Sequence, residues 1–120
     1  MTPAQAIAQL DRKLAGVGED IVLIRGQGPS AVRVTCRAKV SGFQNDELVG
    51  DLAQQDSLVI MSPTQIAAAG WPGAGLGVST PIKGDRLRIQ GFAKIVIGAT
   101  AVQLAGRTVR IEIRVRGEAS

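Results

Sequence analysis

Apolar and polar residues alternate along most of this chain, and the alternation gives way to a helical period in two places. In "RTVRIEIRVRG", residues 107 to 117, Val109, Ile111, Ile113 and Val115 leave one side of an extended chain while Thr108, Arg110, Glu112, Arg114 and Arg116 leave the other, because successive strand side chains point to opposite faces. "AVRVTCRAKV" repeats the pattern, with Val32, Val34, Cys36, Ala38 and Val40 against Arg33, Thr35, Arg37 and Lys39. "EDIVLIR" precedes it across the turn "GQGPS", which predicts an antiparallel hairpin. "DSLVIMS", "DRLRIQ" and "FAKIVIG" predict further strands, the last two around a tight turn at Gly91, and "ATAVQLAG" leads into the closing strand. Residues 3 to 15 form a helix on their spacing of Ile7, Leu10 and Leu14, with Thr2 as N-cap, Pro3 at the first helical position and "GVG" at the end. "SPTQIAAAG" predicts a second, short helix capped by Ser62, with Pro63 first inside and Gly70 just past its end.

Two stretches carry neither period. "SGFQNDELVGDLAQQ" is expected to be a long loop with a helical turn, and "WPGAGLGVSTP" a glycine-proline loop. The expected fold class is mainly β: a small antiparallel β-barrel or sandwich of about six strands, with an N-terminal helix and a short inserted helix. Two helices are too few to cover a parallel sheet on both faces. The 120 residues make one domain, with the helix in 1–17 and the barrel in 18–120, interrupted by loops 41–54 and 70–84.

Composition removes most chemistry. The chain has no histidine and no tyrosine, so the commonest general base and metal ligand is missing. Its one cysteine, Cys36, has no disulfide partner and falls on an apolar face, where it reads as a small buried hydrophobe. Asp46, Glu47 and Asp51 do not match the spacing of a calcium loop. "GAGLG" neither follows a strand into a helix nor precedes the "GK[ST]" of a phosphate cradle. No enzyme, cofactor or metal site is expected. Nor is a membrane span or a signal peptide, since Asp11, Arg12 and Lys13 follow only a short apolar stretch, and a cytoplasmic chain is expected on these grounds.

Charge is unevenly laid out. The net charge is +4, yet no lysine or arginine lies between Lys39 and Lys83, where Asp46, Glu47, Asp51 and Asp56 fall. The flanks hold all fourteen bases and six acids. Such segregation favours contact between unlike surfaces, with an acidic partner or between copies arranged head to tail. Arg33, Arg37 and Lys39, then Arg86 and Arg88, then Arg110, Arg114 and Arg116 would also give a footprint for phosphates if they gather on one sheet. The aromatic platform of strand-based single-strand binders is absent, because Phe43 and Trp71 lie in loops and Phe92 has no aromatic neighbour. A solvated row that keeps strand faces soluble accounts for the same arginines.

From "SGFQNDELVGDLAQQDSLVIM" through "SPTQIAAAGWPG" to "PIKGDRLRIQGFAKIVIGATAVQLAGRTVRIEIRVRG", the chain resembles the small neck proteins of long-tailed bacteriophages. These are head-tail connector, head-completion or stopper proteins, with similar ones in prophages and gene transfer agents. The resemblance implies a structural virion protein, made in the host cytoplasm and assembling as a homo-oligomeric ring between portal or adaptor and tail. Such a ring closes the DNA channel and docks the tail-terminator or tail-tube protein, in contact with packaged DNA. A ring needs two different complementary patches on each copy. Asp46, Glu47 and Asp51 supply one, Arg110, Arg114 and Arg116 the other, with Trp71 as a partner anchor or as a lid over the core. Arg33, Arg37, Lys39, Arg86 and Arg88 would face the channel or a neighbour, and the glycine-bearing loops 41–54 and 70–82 would supply the plug. A tail-terminator protein and a free nucleic-acid-binding small barrel are the alternatives.

Overall fold

The computed structural model describes residues 1–42, 56–73, 75 and 77–117. Among them, six strands close into a barrel. They are β1 (Glu19–Arg25), β2 (Val32–Gly42), β3 (Asp56–Met61), β4 (Arg86–Ile89), β5 (Phe92–Leu104) and β6 (Arg107–Gly117). Around the wall their order is β1-β2-β3-β6-β5-β4 and back to β1, with every neighbouring pair antiparallel. The barrel therefore prevails over the sandwich, because β1 bonds to β4 as well as to β2 and the strand order closes on itself.

Alternation builds the interior. Ile21 and Leu23 of β1, Val34, Cys36 and Ala38 of β2, Val59 and Met61 of β3, Leu87 of β4, Val96 of β5 and Ile111, Ile113 and Val115 of β6 are all buried in one cluster. β5 is a single thirteen-residue strand, which runs on through most of the stretch expected to lead into the closing strand. Register irregularities between Val96 and Gly98 and between Val102 and Gln103 bend it around the wall without ending it. Both hairpins flanking β5 turn on a pair of residues at positive φ, Gln90 (53°) with Gly91 (85°) and Ala105 (53°) with Gly106 (80°). That is the backbone signature of a type I′ turn, whose twist matches that of the strands.

The helices complete the wall. β3 reaches only to Met61, which sits level with Ala38 of β2 and Ile111 of β6. Beyond that level, α1 (Pro3–Val17) packs on both β2 and β6, and α2 (Thr64–Ala69) packs on β2. α1 opens with a capping box, in which the Thr2 hydroxyl accepts the Gln5 N–H and the Gln5 side chain accepts the Thr2 N–H. At its other end Arg37 of β2 donates to the carbonyls of Leu14 (3.0 Å) and Ala15 (3.4 Å), placing a cation on the negative end of the helix. α2 starts one residue later than its sequence predicts. Pro63 occupies the cap position and has no side-chain acceptor to offer, while Ser62 accepts the Thr64 N–H at 3.3 Å. Ser62 in turn donates to Asp11 of α1, and the Thr64 hydroxyl donates to the same carboxylate at 2.7 Å. One acidic side chain thus locks the two helices together, and Gly70 at φ 64° ends α2 in the left-handed conformation expected of it.

Candidate functional site

Barrel closure brings arginines from three strands onto the outer wall, and register sets them in rows. Ile24 of β1 lies opposite Arg33 of β2 on one side and Arg86 of β4 on the other. Arg86 lies opposite Ile95 of β5, and Ile95 opposite Arg116 of β6. The row therefore reads Arg33–Ile24–Arg86–Ile95–Arg116, with one arginine on every second strand, about 10 Å apart at the usual strand spacing. A second row reads Thr35–Val22–Arg88–Ala93. Ile24 is only 7% exposed although its side of the strand faces outward, as expected where long arginine stems flank an apolar side chain.

The arginines differ in how far they are committed. Arg33, Arg88 and Arg114 are exposed and form no ion pair with another described residue. Arg86 spends one donor on the Gly26 carbonyl at 3.1 Å and keeps the rest of its guanidinium. Arg37 is engaged with the end of α1 and with Asp20 at 3.3 Å, so its role is to hold the helix and it does not join the open face. Arg110 pairs with Glu112 of its own strand at 3.0 Å. Lys39 is exposed on β2, away from the two rows. Arg114 lies opposite Gly98 and Leu58, one step along β6 from the first row. Asp46, Glu47 and Asp51 lie outside the described residues, as does most of the expected loop 41–54, whose first two residues belong to β2.

Trp71 is 4% exposed and belongs to the core cluster, so its place is that of the lid, with no ring surface offered to a partner. Its indole N–H donates to the Val32 carbonyl at 3.1 Å, and the Arg25 guanidinium lies 4.6 Å above its ring. Arg25 was not among the residues singled out from sequence. It forms a two-pronged ion pair with Asp85, Nε to Oδ1 at 3.0 Å and an Nη to Oδ2 at 2.8 Å, with both side chains nearly sealed from water. Its remaining donors reach the carbonyls of Val78 (2.6 Å) and Thr80 (3.2 Å), and Asp85 also accepts the Ile82 N–H. The 70–84 connection is consequently strapped to β1 across the barrel mouth. The signal lay in parity: Ile21, Leu23 and Arg25 share the inward face, and an arginine there demands a buried acceptor.

Other concavities offer little chemistry. A groove of about 440 Å³ runs between α1 and the β5–β6 hairpin, where Leu10, Val102 and Leu104 line it and Lys13 and Arg110 are its titratable side chains. Both are cations. Cys36 is 1% exposed, and burial pushes its thiol up to about 12, so it is protonated and inert near neutral pH. Among the described residues no three histidine, cysteine or acidic side chains converge as metal ligands, and no helix is long and apolar enough to cross a membrane. Comparison with protein-family models, with curated proteins and with solved structures gives no match to this chain.

Proposed function

We propose that the chain is a structural subunit of the neck of a long-tailed phage or related gene transfer agent, a virion protein that assembles as a ring. The ring would sit between portal or adaptor and the tail-terminator or tail-tube protein, close the DNA channel and dock the tail. The observation that carries this reading is the register-aligned arginine wall of a closed barrel. Where the wall is closed a neighbour cannot add a strand, so association there runs through faces and loops. The face with uncommitted charge is basic, and the acids that complement it are concentrated in the connection between β2 and β3.

Deleting the gene from its phage and imaging the particles tests the reading. DNA-filled heads that lack tails or lose their genome are expected, and normal tailed particles would refute it. One observation favours a second reading, a nucleic-acid-binding barrel: Arg33, Arg88 and Arg114 form no ion pair with another described residue. That reading requires the isolated chain to be retained on DNA at low salt and released as salt rises. Passage through the column without retention disposes of it.

A further inference from the structure

The two arginine rows have a composition that phosphates alone do not explain. Two of the five positions in Arg33–Ile24–Arg86–Ile95–Arg116 are isoleucines, and Val22 sits between Thr35 and Arg88 in the row beside it. A nucleic-acid backbone has nothing to set against those aliphatic positions, and the rows offer no aromatic ring on which a base would stack. The complementary ligand is a peptide that carries both carboxylates and aliphatic side chains. The chain itself contains one. Residues 46 to 52 read "DELVGDL", so that Asp46, Glu47 and Asp51 are interleaved with Leu48, Val49 and Leu52.

We infer that Arg33, Arg86 and Arg88 on the outer wall receive the acidic segment 46–52 of a second copy of this chain, whereas Arg116, at the far end of the first row, lies opposite Asp56 where its own segment re-enters the barrel. The contact rests on the ring reading only in requiring that second copy, and tether length decides between copies. Arg33 and Gly42 are nine residues apart on β2, about 30 Å in a strand. Gly42 is paired with Ser57, so the segment leaves and re-enters the barrel at one place. Asp46 and Glu47 follow Gly42 by four and five residues and Asp51 precedes Asp56 by five, which keeps each acid's backbone within roughly 18 Å of that place. Arg86 lies two strands further around the wall than Arg33. To meet both arginines of its own barrel the segment would have to be drawn straight along the wall. A neighbouring copy is under no such restraint, and its use of one patch on one subunit and a different patch on the next is the heterologous contact that closes a ring.

The test titrates isotope-labelled full chain with a synthetic peptide of residues 43–55, followed by nuclear magnetic resonance. Salt-sensitive shifts are expected at the side chains of Arg33, Arg86 and Arg88 and at the methyls of Ile24 and Ile95. A peptide carrying Asp46→Asn, Glu47→Gln and Asp51→Asn is expected to bind about tenfold more weakly or worse, as is the full chain carrying Arg33→Glu with Arg86→Glu. Arg33→Gln with Arg88→Gln provides a second, milder variant should the reversal unfold the barrel, and it is expected to weaken binding in the same direction. Absence of shifts at millimolar peptide overturns the inference. So do shifts confined to the groove beside α1, or a duplex oligonucleotide that moves the same arginine signals at lower concentration than the peptide does. Particle imaging after gene deletion reports on the ring separately. Tailless heads with a silent peptide leave a ring built through another surface, whereas normal particles with a binding peptide leave the contact and remove the neck.

Discussion

The guanidinium of Arg25 joins the end of β1 to the connection that crosses the barrel mouth, and its removal strands Asp85 without a counter-charge. Arg25→Met retains the aliphatic bulk beneath Trp71 but leaves a carboxylate that is 4% exposed, and breaking a buried pair from one side costs about 3–5 kcal/mol. Chemical denaturation should show a loss of that size, together with new protease cleavage between residues 77 and 82. Adding Asp85→Asn should cost less than it does in the wild-type background, since the stranded charge is then gone. Cys36 supplies a pH-dependent term of known sign. Its thiol has an ordinary value of 9.0 and is raised to about 12 by burial, so between these values the unfolded chain has released a proton that the folded chain still holds. Stability contributed by the buried thiol is therefore complete below pH 9 and lost as pH rises toward 12, at up to about 1.4 kcal/mol per pH unit. Denaturation midpoints of wild type and Cys36→Ala measured from pH 8 to 10.5 should diverge above pH 9, with the wild type falling faster. Parallel curves would show that the thiol is not shielded.

Strands were legible in the sequence because a two-residue period survives any tertiary arrangement that buries one face. Val109, Ile111, Ile113 and Val115 all point inward, as their alternation predicts, and so do Val34, Cys36 and Ala38. β5 was read as ending at Gly98, with "ATAVQLAG" leading into the closing strand, because Gly98 and the small residues after it imitate a break, whereas bulges absorb the irregularity and the strand continues to Leu104. The start of α2 was misplaced for a local reason. Pro63 is well suited to a first helical turn, yet here it precedes the helix, and the cap acceptor is the Ser62 hydroxyl that Asp11 holds in place from another element. Ala105 is the weak point of the β5–β6 hairpin, since a residue with a Cβ at φ 53° lies in a region that costs about 1 kcal/mol for most side chains and less for asparagine. Ala105→Asn is expected to raise stability by roughly 0.5–1 kcal/mol, read as a higher midpoint in thermal denaturation, while Gly106→Ala at φ 80° should lower it.

At the scale of the whole molecule, closure and register were beyond the sequence. Barrel and sandwich differ only in whether β1 reaches β4 and β3 reaches β6, and such distant pairings leave no local mark. The arginines could be counted from the chain, but which of them share a row depends on a register that no single strand contains. The same holds for commitment: Arg33 and Arg37 are four residues apart on one face, and only the packing of α1 makes Arg37 a helix anchor and leaves Arg33 open. β6 presents a further consequence. It bonds to β3 on one flank and β5 on the other, and it follows both in the chain. As the polypeptide leaves the ribosome, the hairpins of β1 with β2 and of β4 with β5 can form from nearby sequence, but β3 and β5 each keep a bare hydrogen-bonding rim until β6 arrives. In that interval a rim can be satisfied as well by a sister nascent chain as by its own missing partner, so the arrival time of one strand governs whether synthesis yields separate molecules or entangled ones.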